Sequence, residues 1–327
     1  MTVLEFKLDE FTISENEIKS AILNNDPIEE KLNVIIVISN PCNYKRRYQL
    51  TKEFIKRMEL ESNVNLYIVE LAYSDQNFVI TESDNNMHLQ LRTEVPLWHK
   101  ENMINCGVER LLPKNWKAFA WIDADIEFDN PSWAIETLKI LNGSRDIVQL
   151  FSHCIDMDKN QDAMKIFQGY GFQWNKRRSF SLEGLNYWHP GFAWAITRKA
   201  YERIGGLYDY GILGSGDFNM CMSYIGKGSN SINNKNSKNY MKTILDFQEK
   251  AKNLRIGYTP GIIRHYFHGS KKNRKYTERW IILVNHQFDP FKHIIKNKDG
   301  IYVPTSECPV QLLKDITIYF SQRNEDE

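Results

Sequence analysis

A near-continuous apolar run, Leu32 to Ile38 (LNVIIVI), leaves few folds open to this chain. A strand with one wet face alternates polar and apolar residues. A strand apolar at every position suits burial on both faces, as in a parallel sheet covered by helices. Ser39-Asn40-Pro41 ends the run, and Leu50, Phe54 and Met58 then recur at four-residue spacing, which predicts a helix. Val64 to Ala72 (VNLYIVELA) predicts a second strand, giving a β-α-β opening with short connections.

Residues 73–97 are polar and irregular and read as a loop or flap. Trp98 to Leu111 returns to helix, with Ile104, Val108 and Leu111 on one face. Ala118 to Ile122 (AFAWI) is a third buried strand running into Asp123-Ala124-Asp125. Asn130-Pro131 supplies an Asn cap with Pro at the first helical position. Asp146 to Ser152 reads as a further strand. Residues 171–191 read as a long loop or hairpin, Phe192 to Thr197 as a strand, and Arg198 to Ile204 as a helix ended by Gly205-Gly206. Helix is predicted again over Asp217–Ile225, Met241–Ala251 and Leu312–Phe320. Arg255 to Arg264 is a strand candidate broken by Pro260-Gly261, and the Asn/Ser/Lys run 228–239 reads as a solvated, mobile loop. The division expected is a lead-in over 1–30 with a short amphipathic piece, a main domain over 31–290 and an extension over 291–327. Within the domain the texture changes, separating about 31–150 from about 151–290.

The chain has 327 residues, 42 Lys+Arg against 41 Asp+Glu, and 42% apolar residues. This excludes disordered and fibrous classes and gives no support to a globally basic nucleic-acid binder. Cys42, Cys106, Cys154, Cys221 and Cys308 form no CxxC, which argues against a zinc site or a disulfide framework and for a reducing compartment. The start, MTVLEFKLDE, is neither a signal peptide nor an anchor, and no apolar run approaches the ~20 residues of a membrane span. A soluble, cytoplasmic protein is expected.

Three constellations carry chemistry. Asp123 and Asp125 stand at the end of a buried strand, where open α/β sheets bind ligands. Two carboxylates there are costly without a partner, and hard oxygen ligands suit Mg²⁺ or Mn²⁺. An Asp-x-Asp is also common in solvated loops. His265 and His268 follow a strand-like run and precede the basic cluster Lys271, Lys272, Arg274, Lys275 and Arg279. A neutral imidazole could complete a metal shell, and the cations could neutralise phosphate. Gly205-Gly206, Gly211, Gly214 and Gly216 lead to Asp217, which is either a simple helix cap or a carboxylate after a glycine-rich approach that leaves room for a substrate. Trp188 reads either as a stacking surface for sugar or base or as a core aromatic.

These segments, in this order, resemble the GT-A fold of nucleotide-sugar glycosyltransferases. Asp123-Ala124-Asp125 resembles the DxD metal motif. Pro41–Leu50 (PCNYKRRYQL) resembles the nucleotide-contacting segment of β-1,4-galactosyltransferases, with Arg46 at its basic position. WHKENMIN, Trp98–Asn105, resembles the donor-contacting helix, with Lys100 where that group has arginine. Pro190–Asp217 resembles the stretch ending in the catalytic acid, with Gly216 where the pattern carries an additional acidic residue. Ile263-Arg264-His265 resembles the segment of the third metal ligand. A nearer resemblance, over roughly 32–325, is to the TET-associated glycosyltransferases of phages and large DNA viruses, on WHKEN, WIDADIEF, HPGFAWA, GSGD, HYFHGSKKNRKYTER and YFSQRNEDE. That family is proposed to glycosylate hydroxymethylated DNA bases.

The resemblance implies an α/β GT-A fold: an open, mostly parallel Rossmann-like sheet flanked by helices, with a smaller acceptor-side region. It makes 31–290 the catalytic domain, with a nucleotide-binding half over about 31–150 and an acceptor-side half over about 151–290. It implies metal-dependent transfer from a nucleoside-diphosphate sugar, UDP-linked, to a hydroxyl acceptor, inverting, with Asp217 as base. Asp125 and His265 are the expected direct metal ligands. Asp123 is expected on the metal or the ribose, and His268 is the reserve ligand. Arg46, Glu70, Lys100, Trp188, His268, Lys271, Arg274 and Arg279 are the expected donor contacts. The acceptor is a modified DNA base or a glycan or protein. Lys176-Arg177-Arg178 and the 271–279 cluster could guide a phosphate backbone or grip the donor diphosphate. A metal-dependent nucleotidyl or phosphoryl transferase and a non-enzymatic carbohydrate- or DNA-binding protein are the competing classes.

Overall fold

The apolar runs become the centre of a seven-stranded sheet. The structure, a computed structural model, describes residues 5–8, 11–14, 25–181, 187–275 and 278–327. Strands β1 (Glu5–Leu8) and β2 (Phe11–Ser14) form a separate antiparallel hairpin. The short amphipathic piece expected within residues 1–30 therefore falls largely outside the described residues.

The main sheet has the order β13-β8-β12-β6-β3-β4-β5. Its members are β3 (Leu32–Ser39), β4 (Val64–Tyr73), β5 (His88–Thr93), β6 (Ala118–Ile122), β8 (Ile147–Gln149), β12 (Ala193–Thr197) and β13 (Ile256–Tyr258). All neighbours are parallel except β12, which is antiparallel to both β6 and β8. This is an α/β fold with a mostly parallel sheet flanked by helices.

Side-chain alternation divides the buried strands between two cores. Ile35, Val69, Phe119, Trp121, Trp194 and Ile196 face one core. Leu32, Val34, Ile36, Ala118, Ala120, Ala193 and Ala195 face the other. The alanines on that second face leave room for helix α3 (Trp133–Leu141), whose Trp133 is 1% exposed. Helix α1 (Lys45–Glu59) adds Phe54 and Met58 to the same core. Helix α2 (Lys100–Arg110) packs on the opposite face, where Gly107 lets it approach Ile35 and Val69 closely.

A second sheet, β11-β10-β9-β14-β7, stands beside the first. It comprises β7 (Ile126–Phe128), β9 (His153–Met157), β10 (Ala163–Gly169), β11 (Trp188–His189) and β14 (Ile262–His265). β7 follows β6 after only the Asp123-Ala124-Asp125 turn, so that turn is the hinge between the two sheets.

Several expectations need correction. Residues 73–97 are not all loop: β5 adds to the sheet edge there, its Leu91 and Thr93 inward and Arg92 outward. The β9–β10 hairpin was not foreseen. The 171–191 segment contains helix α4 (Tyr170–Asn175) and β11, with 182–186 outside the described residues. The Asn130 side chain accepts from Ser132 N in a turn, and the helix starts at Trp133, two residues later than expected. The 228–239 run is partly buried, with Gly228, Ser231 and Ile232 inside, so it is not simply a solvated loop. Helix α5 (Arg198–Ile204) ends at Gly205 in the left-handed conformation, as its Gly-Gly pair predicts. Helices α6 (Gly216–Tyr224), α7 (Lys238–Ala251) and α8 (Val310–Gln322) follow, and α8 adds Leu312, Ile316, Tyr319 and Phe320 to the first core. Among the described residues no helix is long and apolar enough to cross a membrane.

Candidate active site

The strand order places β4 on one side of β3 and β6 on the other, so the carboxyl ends of β3 and β6 open a crevice at a topological switch point. A cavity of about 190 Å³ lies there. Its walls are the Ser39–Cys42 turn, Arg47 from α1, Trp98–Lys100, Asp123–Asp125, the two histidines, and Phe320, Arg323 and Glu325 from the far end of the chain.

Asp125 holds the centre. The turn is fixed by Asp123 N donating to Phe192 O (2.7 Å) and Tyr266 N donating to Asp125 O (2.8 Å), which ties it to the end of β14. Asp125 Oδ2 is 2.8 Å from His268 Nε2 and 3.7 Å from His265 Nε2. The three ligand atoms of Asp125, His265 and His268 all lie within 4.8 Å of one another. Asp125 Oδ1 is buried and has no hydrogen-bond partner. Burial would raise the Asp125 pKa, but His268 and His265 outweigh it and hold the carboxyl well below its usual range.

Asp156 of β9 completes the arrangement. Its Oδ1 is 2.7 Å from His265 Nδ1, and Lys271 ion-pairs with its other oxygen. With Nδ1 committed to Asp156, His265 presents Nε2 to Asp125. An outer carboxylate of this kind fixes the tautomer of a metal-ligating imidazole. Burial would lower the His265 pKa, but Asp125 and Asp156 raise it overall. The donor set, one carboxylate and two imidazoles with an unsatisfied buried oxygen, fits a divalent transition ion such as Mn²⁺. Metal binding would replace the proton that the acids now favour on His265.

Asp123 stands outside this three-ligand cluster and ion-pairs with Lys100. Burial raises the Asp123 pKa, with Lys100 opposing. Lys100 is partly buried, which would lower its pKa, but Asp123 and Asp217 raise it overall. Asp217 lies in the first turn of α6, where its Oδ1 accepts from Phe218 N (2.8 Å). Its Oδ2 lies so close to Gly191 that a Cβ there would be only 2.7 Å away. Gln149, fully buried, holds that approach by donating to His189 O (2.9 Å) and Gly191 O (3.1 Å).

The remaining expected site residues divide. Arg274 lines the cavity, with its guanidinium 2.6 Å from His268 Nε2. Arg46 does not: its Nε donates to Phe267 O (3.1 Å), and Arg47 occupies the cavity wall instead. Glu70 is buried and spends its carboxylate on Val79 N, Ile80 N, Thr81 N and Thr81 Oγ1, pinning the loop after β4. Trp188 is 2% exposed and packs edge-on against Tyr170 and Phe180, the core position rather than a stacking surface. Lys271 is held by Asp156, and Arg279 reaches Tyr319 Oη (2.9 Å) and Ser215 Oγ; neither lines the cavity.

Sequence reasoning missed Arg47, Glu101, Gln149, Asp156, Arg323 and Glu325. Helical phase could have found Arg47, which sits one turn before the inward Leu50 and Thr51. Asp156 has no local signal, because its partner is far away in sequence and on another strand.

Fold and site together define an α/β protein with a carboxylate–imidazole cluster at the carboxyl edge of a mostly parallel sheet. No protein-family model and no curated protein matches the chain. Among solved structures, it is similar to the catalytic domain of Drosophila β1,4-galactosyltransferase 7 in complex with xylobiose. The identity is 10%, covering 88% of this chain and 99% of that one, with a TM-score of 0.35. At that score the likeness carries no argument about chemistry or substrate.

Proposed function

We propose that the protein is a metal-dependent GT-A glycosyltransferase that moves a sugar from a nucleoside diphosphate to a hydroxyl acceptor. The observation that carries this is the Asp125–His265–His268 cluster with its unsatisfied Asp125 oxygen, on a DxD turn at the carboxyl end of β6. Residues 31–290 are the catalytic domain, and 291–327 an extension that lends Phe320, Arg323 and Glu325 to the cavity.

Asp125, His265 and His268 would hold Mn²⁺ or Mg²⁺. Such an ion, when bound, stabilises the negative charge that grows on a diphosphate leaving group. The chain's own residues do the rest. Lys100, Arg47, Arg274 and Arg323 put cations around the position of the phosphates. The cavity is smaller than the ~300–1,000 Å³ of complete small-molecule sites, so nucleoside and sugar extend over its rim. Asp217 accepts the acceptor's hydroxyl proton as that oxygen bonds to the sugar's anomeric carbon. The bond to the diphosphate oxygen breaks with its electron pair leaving on the diphosphate, so the anomeric centre inverts. The resemblance to TET-associated glycosyltransferases favours a hydroxymethylated DNA base as acceptor and UDP as the carrier.

The test has two arms. Calorimetry should show UDP-sugar binding that requires Mn²⁺ and is lost in Asp125→Ala; metal-independent binding contradicts the reading. Mass spectrometry of hydroxymethylated DNA, oligosaccharides and peptides, incubated with UDP- and GDP-sugars, identifies the acceptor. A hexose-sized gain on the DNA supports the base-modifying reading, and transfer to saccharides alone overturns that part.

A further inference from the structure

Gly216 begins α6 immediately before Asp217, and it has no left-handed φ that would call for glycine. Space calls for it instead. A Cβ built there would lie 2.8 Å from Glu101 Cγ, and closer still to the Glu101 carboxyl carbon. Real Cβ atoms do not approach side chains this closely. The carboxyl group of Glu101 thus fills the volume that any side chain at 216 would take.

Glu101 is 4% exposed and sits in the first turn of α2, next to Lys100. Neighbouring residues of one helical turn therefore serve two parts of one site: Lys100 meets Asp123, and Glu101 meets Gly216 beside Asp217. The approach of α6 is pinned from behind. Ser215, the residue before Gly216, has φ 69°, and its hydroxyl accepts from Arg279 and from Trp280 Nε1 (3.1 Å). The turn cannot simply slide away to make room for a larger residue at 216.

We propose that Glu101 is the site's second carboxyl, delivered from α2 across the bare Cα of Gly216, and that it positions Asp217. The inference rests on the reading of Asp217 as the proton acceptor. It also accounts for the departure at 216: the acid that the related pattern carries there arrives from another helix. The charged and titratable groups facing Glu101 are Asp217 on α6, Lys100 on its own helix, Asp123 at the end of β6, and Tyr240 on α7. Burial pushes the Glu101 pKa up to about 7, with Lys100 opposing and Asp217 adding to the rise.

The experiment compares wild type, Glu101→Gln, Glu101→Ala, and Glu101→Ala combined with Gly216→Asp, which moves the carboxyl to the space Glu101 vacates. The first readout needs no activity: ¹³C NMR titration of the Glu101 carboxyl in wild type and in Asp217→Asn. The wild-type midpoint of about 7 should move to lower pH in Asp217→Asn, and an unchanged midpoint overturns the proposal. The second readout is transfer. Glu101→Gln should leave UDP-sugar affinity within about twofold and lower kcat roughly 10–100-fold at pH 7. Glu101→Ala with Gly216→Asp should recover at least about tenfold of what Glu101→Ala alone loses. Wild-type kcat in Glu101→Gln, or a relocated carboxyl no better than its absence, overturns the role of Glu101 while leaving the transferase reading standing. Absence of transfer by the wild type, with the Glu101 midpoint still shifted by Asp217→Asn, refutes the transferase reading and retains the carboxyl pair.

Discussion

Replacing Glu325 by Gln keeps its shape and removes its charge. The carboxylate is 1% exposed and accepts from Arg47 Nε (2.9 Å) and Arg47 Nη2 (2.7 Å), while Arg323 Nη2 lies 2.7 Å from its Oε1. Arg323 is itself 6% exposed, and its Nε has no partner. The substitution leaves two guanidinium groups facing each other without the carboxylate they share, with Asp125 still opposing Arg47. Removing one member of a buried pair costs about 3–5 kcal/mol, against at most ~1 kcal/mol for an exposed pair. The expected loss is a fifth or more of the ~5–15 kcal/mol that holds a typical fold. Urea unfolding with linear extrapolation reads this directly. The pH dependence supplies a second check. Burial would raise the Glu325 pKa, but Arg47 and Arg323 outweigh it and hold the folded value well below the ordinary 4.5. Its stabilisation is therefore full above about pH 4.5 and fades as pH falls toward the folded value, so wild type and Glu325→Gln should converge in acid. A loss below ~1 kcal/mol at pH 7, or a difference that grows as pH falls, refutes the reasoning.

Asp156→Asn should weaken Mn²⁺ binding about 10–100-fold, read by the electron paramagnetic resonance signal of free Mn²⁺, while circular dichroism stays native, because His265 loses the carboxylate that orients it. Gly107→Ala should cost about 1–3 kcal/mol in denaturant unfolding, since its Cβ would sit 2.9 Å from Val69 Cγ2 and 3.2 Å from Ile35 Cγ2. Glu101→Gln should be the more stable form at pH 8 by up to about 3 kcal/mol and lose that advantage by pH 4.5. A folded pKa of about 7 against 4.5 makes the native Glu101 contribution favourable only at low pH, lost as pH rises through 7.

The central strands were legible because burial on both faces removes the polar alternation, as in Leu32–Ile38 and Ala118–Ile122. The edge was not. β5 buries Leu91 and Thr93 but exposes Arg92, and β10 opens with four exposed residues, so neither offers an apolar run. The DxD turn could be located because it ends a fully buried strand, and His265 because it closes a short strand-like run after Pro260-Gly261. The orientation of the two histidines could not, since it depends on Asp156, which joins His265 only through the parallel pairing of β9 with β14. Arg46 was placed by likeness of segment, and the helix turned Arg47 inward instead. Glu101 escaped notice because its significance lies in a residue without a side chain, on a helix more than a hundred positions away.

The C-terminal segment also sets when the cavity can exist. Tyr44 Oη donates to Phe320 O and Ser321 O (both 2.9 Å), Asp326 accepts from Lys45 N (3.0 Å) and Arg46 N (2.8 Å), and Glu325 closes on Arg47. The first turn of α1, whose early amides have no partner within the helix, is thus capped by residues nearly three hundred positions later. On the ribosome, at about 5–20 residues per second, β3 and α1 emerge well before anything can supply that cap. During this interval Arg47 lacks its carboxylate and the cavity lacks a wall. Nascent chains stopped before residue 320 should therefore contain a largely formed sheet and yet be unable to retain a nucleotide, so that assembly of the site is timed by translation itself.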